Sequence, residues 1–283
     1  MKNNIEIKKL CKSYDSFSLK NINLNIPSGS IVGLIGENGA GKTTLIKSLL
    51  NIIKIDDGEI KLCDKDFKDS EVKEDIGVVL DNSFFPELLN ANDIKSVMAN
   101  IYTNWDNDLY VKYLNEFNIP LNQAIKTFSK GMRKKLEIAT ALAHKPKLLI
   151  LDEPTSGLDP VVRTEILDIF LNFIQDENHS ILLSTHITSD LEHVADYIVF
   201  IDDGRIILND SRDSILDNYG VLKIEEKDFD KIDKEDIIRY KKNRYNYDIL
   251  VNDRNKISKK YKNMVVDKAT LEDIMVLNIK GVK

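Results

Sequence analysis

Residues 31–47 of this chain read IVGLIGENGAGKTTLIK, and their pattern indicates the fold more clearly than any other segment. The apolar run at residues 31–35 predicts a buried strand. Residues 36–43, which follow it, fit the phosphate-binding loop pattern G-x-x-x-x-G-K-[ST]. Apolar residues then recur at helical spacing over residues 45–50. A strand, a glycine-rich loop and a helix in this order disfavour the alternative of a chance glycine-rich turn.

The chemistry of this loop suits a phosphate group. Glycines let the backbone pass close to an anion, so that its N–H groups and the positive end of the helix dipole point at the anion. We expect Lys42 to bridge the β- and γ-phosphates of a nucleotide and the Thr43 hydroxyl to hold Mg²⁺. The nucleotide-binding residues predicted at this loop are Gly36, Glu37, Asn38, Gly39, Ala40, Gly41, Lys42, Thr43 and Thr44.

A second apolar strand, residues 148–151, ends in two carboxylates. Ligands of open α/β sheets bind at the carboxyl ends of parallel strands, so Asp152 is a candidate to order Mg²⁺ and Glu153 to polarise an attacking water. The alternative is a solvated carboxylate pair that caps the next helix. His186 ends another apolar strand, residues 180–186. A lone histidine is more often structural, but here it is a candidate to contact the γ-phosphate or position the water.

Strands alternate with helices along most of the chain, which predicts an α/β fold with a mostly parallel sheet covered on both faces. Residues 3–10 and 17–26 alternate between apolar and polar side chains, which predicts a small antiparallel β layer in front of the phosphate loop. A strand that follows a turn at Asp57-Gly58 is expected to return to this layer. Tyr14 lies between the first two strands, either as a packed aromatic or as a platform on which a purine stacks.

The chain divides into a nucleotide-binding domain at residues 1–220 and an appendage at residues 221–283. A helical subdomain, at about residues 84–145, is expected as an insertion in the first domain. The appendage carries sixteen Lys and Arg against twelve Asp and Glu, whereas the whole chain has a formal net charge of −6. Its strand-like pieces and a final helix near residues 270–279 predict a small α/β unit.

Composition narrows the class of protein further. The overall negative charge gives no reason to expect a nucleic-acid partner. The two cysteines are distant in sequence and are expected to be free thiols. No apolar run approaches the roughly 20 residues that span a bilayer, and the first residues lack the apolar core of a secretion signal. The sequence therefore predicts a cytoplasmic protein.

Five motifs in order, GENGAGKT, FSKGM, LLILDEP, SGLD and STH, strongly resemble the ATP-binding subunits of ABC transporters. The resemblance covers about residues 3–210. It implies the P-loop NTPase fold of ABC ATPases, ATP and Mg²⁺ as cofactors, and hydrolysis of ATP to ADP and phosphate. It also implies a homodimer or heterodimer with two ATP between its subunits. A separate membrane permease would hold this dimer at the inner face of the cell membrane.

The resemblance also implies roles for residues that contact the nucleotide bound to the other subunit, and for an aromatic residue that contacts adenine. FSKGM stands where the family signature usually reads LSGGQ, which implies that Ser129, Lys130, Gly131 and Met132 face the γ-phosphate bound to the other subunit. Asp159 matches a loop that communicates across the dimer. Tyr14 matches the aromatic residue that stacks on adenine.

Two departures from the family pattern stand out. Lys130 and Met132 replace Gly and Gln in the signature. Asp81, at the end of a predicted strand at residues 76–80, stands where most members have a Gln that approaches Mg²⁺ and the water, so Asp81 is a candidate metal ligand. Flanking segments resemble ABC-2-type exporters of antibiotics and antimicrobial peptides, including exporters of phenol-soluble modulins. The alternative is a soluble regulatory or mechanical ATPase that takes no part in transport.

Overall fold

The computed structural model describes residues 2–81 and 85–282. Two expectations fall on the remaining residues. The end of a strand at Asn82-Ser83 and the start of the helical subdomain at Phe84 both lie outside the described part of the chain.

Strands and helices alternate through most of the chain. The strands are β1 (Asn3–Ser13), β2 (Ser18–Pro27), β3 (Ser30–Ile35), β4 (Asp57–Leu62), β5 (Lys65–Asp66), β6 (Ile76–Val79), β7 (Leu148–Asp152), β8 (Ser180–Ser184), β9 (Tyr197–Asp202), β10 (Arg205–Ser211), β11 (Gly220–Glu225), β12 (Arg239–Lys242), β13 (Asn246–Val251) and β14 (Val265–Lys268). The helices are α1 (Lys42–Leu49), α2 (Ala91–Met98), α3 (Asn107–Glu116), α4 (Lys130–Leu142), α5 (Pro160–Phe173), α6 (Thr188–Val194), α7 (Arg212–Asn218), α8 (Arg254–Lys260) and α9 (Leu271–Lys280).

The central sheet has six strands in the order β10-β9-β3-β8-β7-β6. Five of them are parallel, and β10 pairs antiparallel with β9 through a hairpin at Asp203-Gly204. Every residue of β3, β7 and β8 is buried, as expected for parallel strands with both faces covered. The predicted α/β fold is confirmed, and the carboxyl ends of β3, β7 and β8 meet at one edge of the sheet.

A second sheet has the order β2-β1-β4-β5 and forms the predicted antiparallel layer. The turn expected at Asp57-Gly58 is wrong, because both residues lie inside β4. Gly58 has φ +102°, and a Cβ there would lie 2.6 Å from Cα of Leu10. The pairing of β1 with β4 shifts register between Lys8 and Cys11. The glycine therefore accommodates a bulge in the ladder, where the backbones approach closely.

The helical subdomain contains α2, α3 and α4, joined by irregular segments. Asn90 caps α2 in a capping box with Asp93, and Asp106 caps α3 through two backbone N–H groups. Ser129 caps α4 by accepting a hydrogen bond from the Met132 N–H. The caps explain why helices begin at these points in a stretch rich in Asn and Asp.

The last part of the chain forms an antiparallel sheet, β12-β13-β11-β14, with α8 and α9. Thr270 and Asp273 form a reciprocal capping box at the start of α9. Leu271, Ile274 and Leu277 of α9 are buried in the same hydrophobic cluster as Leu191 of α6. Through α9, one side of the appendage thus shares a core with the nucleotide-binding domain, whereas Leu222, Ile249 and Ile257 belong to a separate hydrophobic cluster within the appendage. Within the described residues, no helix is long and apolar enough to cross a membrane.

Candidate functional site

The phosphate loop connects the end of β3 to the start of α1. Gly39 and Gly41 adopt φ of +88° and +116°, values that favour glycine. A Cβ at Gly36 would lie 2.4 Å from the carbonyl oxygen of Ile201, so only glycine fits there. A Cβ at Gly39, by contrast, would meet nothing within 4 Å. The loop thus has a tightly packed base and an open tip, a shape that leaves room for a phosphate.

Lys42 lies inside this loop and is 6% exposed. Its ammonium donates hydrogen bonds to the carbonyl oxygens of Gly36 at 2.6 Å and Glu37 at 3.1 Å. Burial lowers the pKa of Lys42, while the carboxylates of Glu153 and Asp152 oppose that shift. The loop therefore encloses the Lys42 side chain and binds its amine end through two backbone carbonyls.

Thr43 and Asp152 form the candidate magnesium site. The Thr43 hydroxyl donates to Oδ2 of Asp152 at 2.9 Å. Oδ1 of Asp152 is buried without a hydrogen-bond partner, and so is the hydroxyl of Ser184, which pairs with Asp152 between neighbouring strands. A buried carboxylate oxygen without a partner is costly unless something else binds it. These oxygen ligands fit Mg²⁺, which commonly takes one or two carboxylates and completes its shell with phosphate and water.

Glu153 and His186 contact each other at this edge. His186 Nδ1 lies 2.8 Å from Oε2 of Glu153, so the imidazole donates to the carboxylate. The Glu153 backbone is left-handed, with φ +50°, and its N–H donates to the Ser184 carbonyl at 2.9 Å. Such strained residues cluster at active sites. The predicted strand at residues 180–186 ends earlier, at Ser184, which leaves His186 on the loop where it can reach Glu153.

Tyr14 follows β1 and is 49% exposed, so it is not the packed core aromatic of the first alternative. Its N–H donates to the Phe17 carbonyl at 2.8 Å across the turn to β2. A Cβ on Gly41 would lie 2.8 Å from the Phe17 ring, so this turn adjoins the phosphate loop. An exposed aromatic beside the loop suits a stacking role, which stays a prediction.

Asp81 is exposed and follows β6, the neighbour of β7. The register pairs Val79 with Leu151, so Asp81 continues the chain at the level of Glu153. Its position at the same sheet edge agrees with the predicted neighbourhood, and its role as a metal ligand stays a prediction.

The signature residues form a second surface. Ser129, Lys130, Gly131, Met132 and Asp159 line one cavity of about 260 Å³. Asp159 caps α5 by accepting from two backbone N–H groups at 3.1 Å. A Cβ on Gly131 would lie 3.3 Å from Val162, so the starts of α4 and α5 pack together. The sequence segments at 129–132 and 156–160 thus converge on one face.

The two surfaces are separate within one chain. Gly36, Glu37, Asn38 and His186 line a cavity of about 420 Å³ at the phosphate loop, and none of these residues lines the cavity at the signature. The signature of this chain therefore does not cover its own phosphate loop.

Sequence reasoning missed two buried charged residues near the site, Asp190 and Lys134. The Thr155 hydroxyl donates to Asp190 of α6 at 2.6 Å, and Arg163 of α5 lies 3.6 Å from the same carboxylate. The ammonium of Lys134 on α4 donates to the Leu80 carbonyl, next to Asp81, at 2.8 Å. Asp190 and Lys134 join segments far apart in sequence, so no local pattern reveals them.

Comparisons with known proteins bear on the family and the fold of this chain. A family profile described as ABC transporter matches residues 19–156. The lantibiotic transport ATP-binding protein SrtF of Streptococcus pyogenes is 36% identical over 74% of this chain and 91% of its own length. The bacitracin transport ATP-binding protein BcrA of Bacillus licheniformis is 34% identical over 72% of this chain and 68% of its own length. A solved structure described as the ATP-binding subunit of an ABC transporter has a TM-score of 0.68 at 28% identity, and the match covers 75% of this chain and 91% of that one.

Proposed function

This chain belongs to the ATP-binding subunits of ABC transporters, and from that premise we propose that it hydrolyses ATP to power export through a separate membrane permease. The cargo class we propose is an antimicrobial peptide, an antibiotic or another amphipathic compound, because the relatives named above carry lantibiotic and bacitracin transport in their descriptions. The subunit would then work at the cytoplasmic face of the membrane.

The hydrolysis proposal rests on one observation: the pair Thr43–Asp152 and the pair Glu153–His186 lie next to each other at one edge of the sheet. Thr43 with Asp152 supplies oxygens for Mg²⁺, which would neutralise charge on the phosphates. Glu153 is placed to accept the proton of an attacking water, and the His186 imidazole fixes the direction of that carboxylate. Lys42 supplies the cation that binds the phosphate chain.

The separation of the two surfaces supports a head-to-tail pair of subunits. Ser129 and Gly131 carry the free end of α4, where helix N–H groups can bind an anion, yet they lie away from the phosphate loop of their own chain. A second subunit, of the same or of a different chain, would place its signature over this loop.

We further propose that the permease binds an apolar groove beside β6, the β6 groove. It is a cavity of about 210 Å³ between the end of α1 and β6. Ile52 is 56% exposed at its edge, and Leu80, directly before Asp81, lies within it. An apolar groove with an exposed isoleucine at its edge suits a short helix of a partner, and Leu80 brings this groove next to Asp81. Its lining residues are Leu49, Leu50, Ile52, Leu62, Phe67, Val72, Lys73, Ile76, Val78, Leu80 and Tyr102.

The test is purification of the tagged chain from membranes of its native host after mild cross-linking. We expect an integral membrane protein to co-purify with the wild type and to be lost with Ile52→Asp. The matched control is Ile207→Asp, which places the same charge at an exposed isoleucine of β10 outside the groove. Retention of the same membrane protein by Ile52→Asp would contradict the groove assignment. Absence of any membrane protein from the wild type would favour the alternative, a soluble regulatory or mechanical ATPase.

A further inference from the structure

The C-terminal helix α9 is the feature of this chain that the proposed function leaves without a role. One side of α9 is fixed to the nucleotide-binding domain through Leu271, Ile274 and Leu277, all of them buried. The Leu271 N–H also donates to the carboxylate of Glu192 on α6 at 2.8 Å. Because α6 follows directly after His186, the helix is anchored next to the candidate active site.

The adjacent side of α9 faces the phosphate loop. Met275, Val276, Ile279 and Lys280 line the same 420 Å³ cavity as Gly36, Glu37, Asn38 and His186. The three apolar residues are half-buried and form a wall, while Lys280 is exposed at the last position of the helix. The appendage therefore supplies one wall of the cavity at the phosphate loop.

We propose that Lys280 is a further binding residue for the terminal phosphate of the nucleoside triphosphate, so that the appendage distinguishes ATP from ADP. The proposal rests on the proposed function, because it takes the phosphate loop as the nucleotide site. Phosphate groups bind most strongly where several cations and N–H groups converge. Lys42 is the cation inside the loop, and Lys280 is a cation in the cavity that Gly36, Glu37 and Asn38 of the same loop line.

The charges around Lys280 favour an anionic ligand. Within the described residues, no carboxylate forms an ion pair with Lys280, although Glu37 lines the same cavity. The alternative is a role in helix stability alone, in which Lys280 complements the negative end of the α9 dipole, as basic residues commonly do in the last turn of a helix. That alternative predicts an effect on helix stability and none on the choice between nucleotides.

The experiment compares the binding of ADP and of adenylyl imidodiphosphate, an ATP analogue that resists hydrolysis, by calorimetry with the full chain. For Lys280→Met we expect the analogue to bind about 3- to 10-fold more weakly and ADP to change by less than about 2-fold. Lys280→Arg should restore the preference, because it restores the positive charge. Raising the salt concentration should shrink the difference between wild type and Lys280→Met, because an exposed charge is screened.

The matched control is Lys256→Met, which removes one exposed lysine from α8 of the same appendage, outside the cavity. It should leave both affinities unchanged. Equal loss for ADP and the analogue, or no loss for either, with Lys280→Met would overturn the role of Lys280 and leave the phosphate-loop assignment intact. Failure of the wild type to bind either nucleotide would instead overturn the proposed function, and the role of Lys280 with it.

Discussion

Asp81 places a carboxylate where the family resemblance leads us to expect an amide. It follows β6 at the level of Glu153, at the sheet edge that holds the candidate metal site. We expect Asp81→Asn to leave ATP affinity nearly unchanged and to alter the Mg²⁺ dependence of hydrolysis. The measurement is a magnesium titration of the hydrolysis rate, with the exposed Asp66→Asn as control. A titration identical to that of the wild type would show that Asp81 does not act on the metal and is only a polar residue after β6.

His144, two residues after the end of α4, is a buried histidine that affects the stability of the protein. It is 1% exposed, its Nε2 lies 3.1 Å from the Ile76 carbonyl oxygen, and its ring stacks on Tyr102 with centroids 4.0 Å apart. Burial lowers the pKa of His144 below its usual value. The unfolded chain therefore takes up a proton near pH 6.5 that the folded chain binds only at lower pH.

It follows that the free energy of unfolding falls as the pH drops below about 6.5, by at most about 1.4 kcal/mol per pH unit from this group. Urea unfolding between pH 7.5 and 5 measures the slope. His144→Gln, which cannot be protonated, should have a shallower slope than the wild type. Carboxylates with a lowered pKa, such as Asp75, change the free energy of unfolding only at more acid pH, so they do not contribute between pH 7.5 and 5. Equal slopes for the two proteins would therefore show that His144 is not the group responsible.

Among the elements, α5 and α6 are held together by a buried carboxylate. Asp190 accepts from the Thr155 hydroxyl at 2.6 Å and faces Arg163, and Thr155 lies two residues after Glu153. Asp190→Asn should lower the free energy of unfolding by about 1–3 kcal/mol, because the buried hydrogen-bonded charge is lost. Urea unfolding checks this value. Asp213→Asn, a change at an exposed carboxylate of α7, should stay within about 0.5 kcal/mol, and equal effects of the two variants would count against the contact.

Some elements are predictable from local sequence signals, and others are not. The strand, loop and helix at 31–47 and the carboxylates after 148–151 are predictable because their signals are local. The turn at Asp57-Gly58 was wrong because a bulge depends on pairing with β1, far away in sequence. The sequence does not predict helices α7 and α8, because each has seven residues with a single buried position, which gives no apolar period.

The position of α9 is the largest feature that no sequence pattern reveals. Its capping box and apolar spacing predict a helix, but they do not say what the helix covers. Its packing on α6 joins segments about 80 residues apart, and only the folded chain brings Lys280 to the phosphate loop. The third sheet begins at Gly220, and the buried residues of the appendage are divided between the core that contains α6 and a cluster of their own.

At the scale of the whole molecule, we propose that one chain carries two halves of a site that only a second subunit completes. The phosphate loop with Glu153 lies on one surface, and Ser129, Gly131 and Asp159 lie on another. ATP that is bound and not cleaved should then act as a ligand of the pair alone, and should shift the equilibrium towards it by mass action.

Glu153→Gln tests this claim most directly. Gln is nearly isosteric but cannot accept the proton of the water, so hydrolysis should fall about 10²- to 10⁴-fold while Mg·ATP binding persists. The measurement is size-exclusion chromatography with light scattering, at several protein concentrations, with ATP or with ADP and Mg²⁺. We expect the variant to elute as a dimer with ATP and mostly as a monomer with ADP. A hydrolysis-deficient variant that stays monomeric with saturating ATP at every concentration would contradict the head-to-tail arrangement of a homodimer.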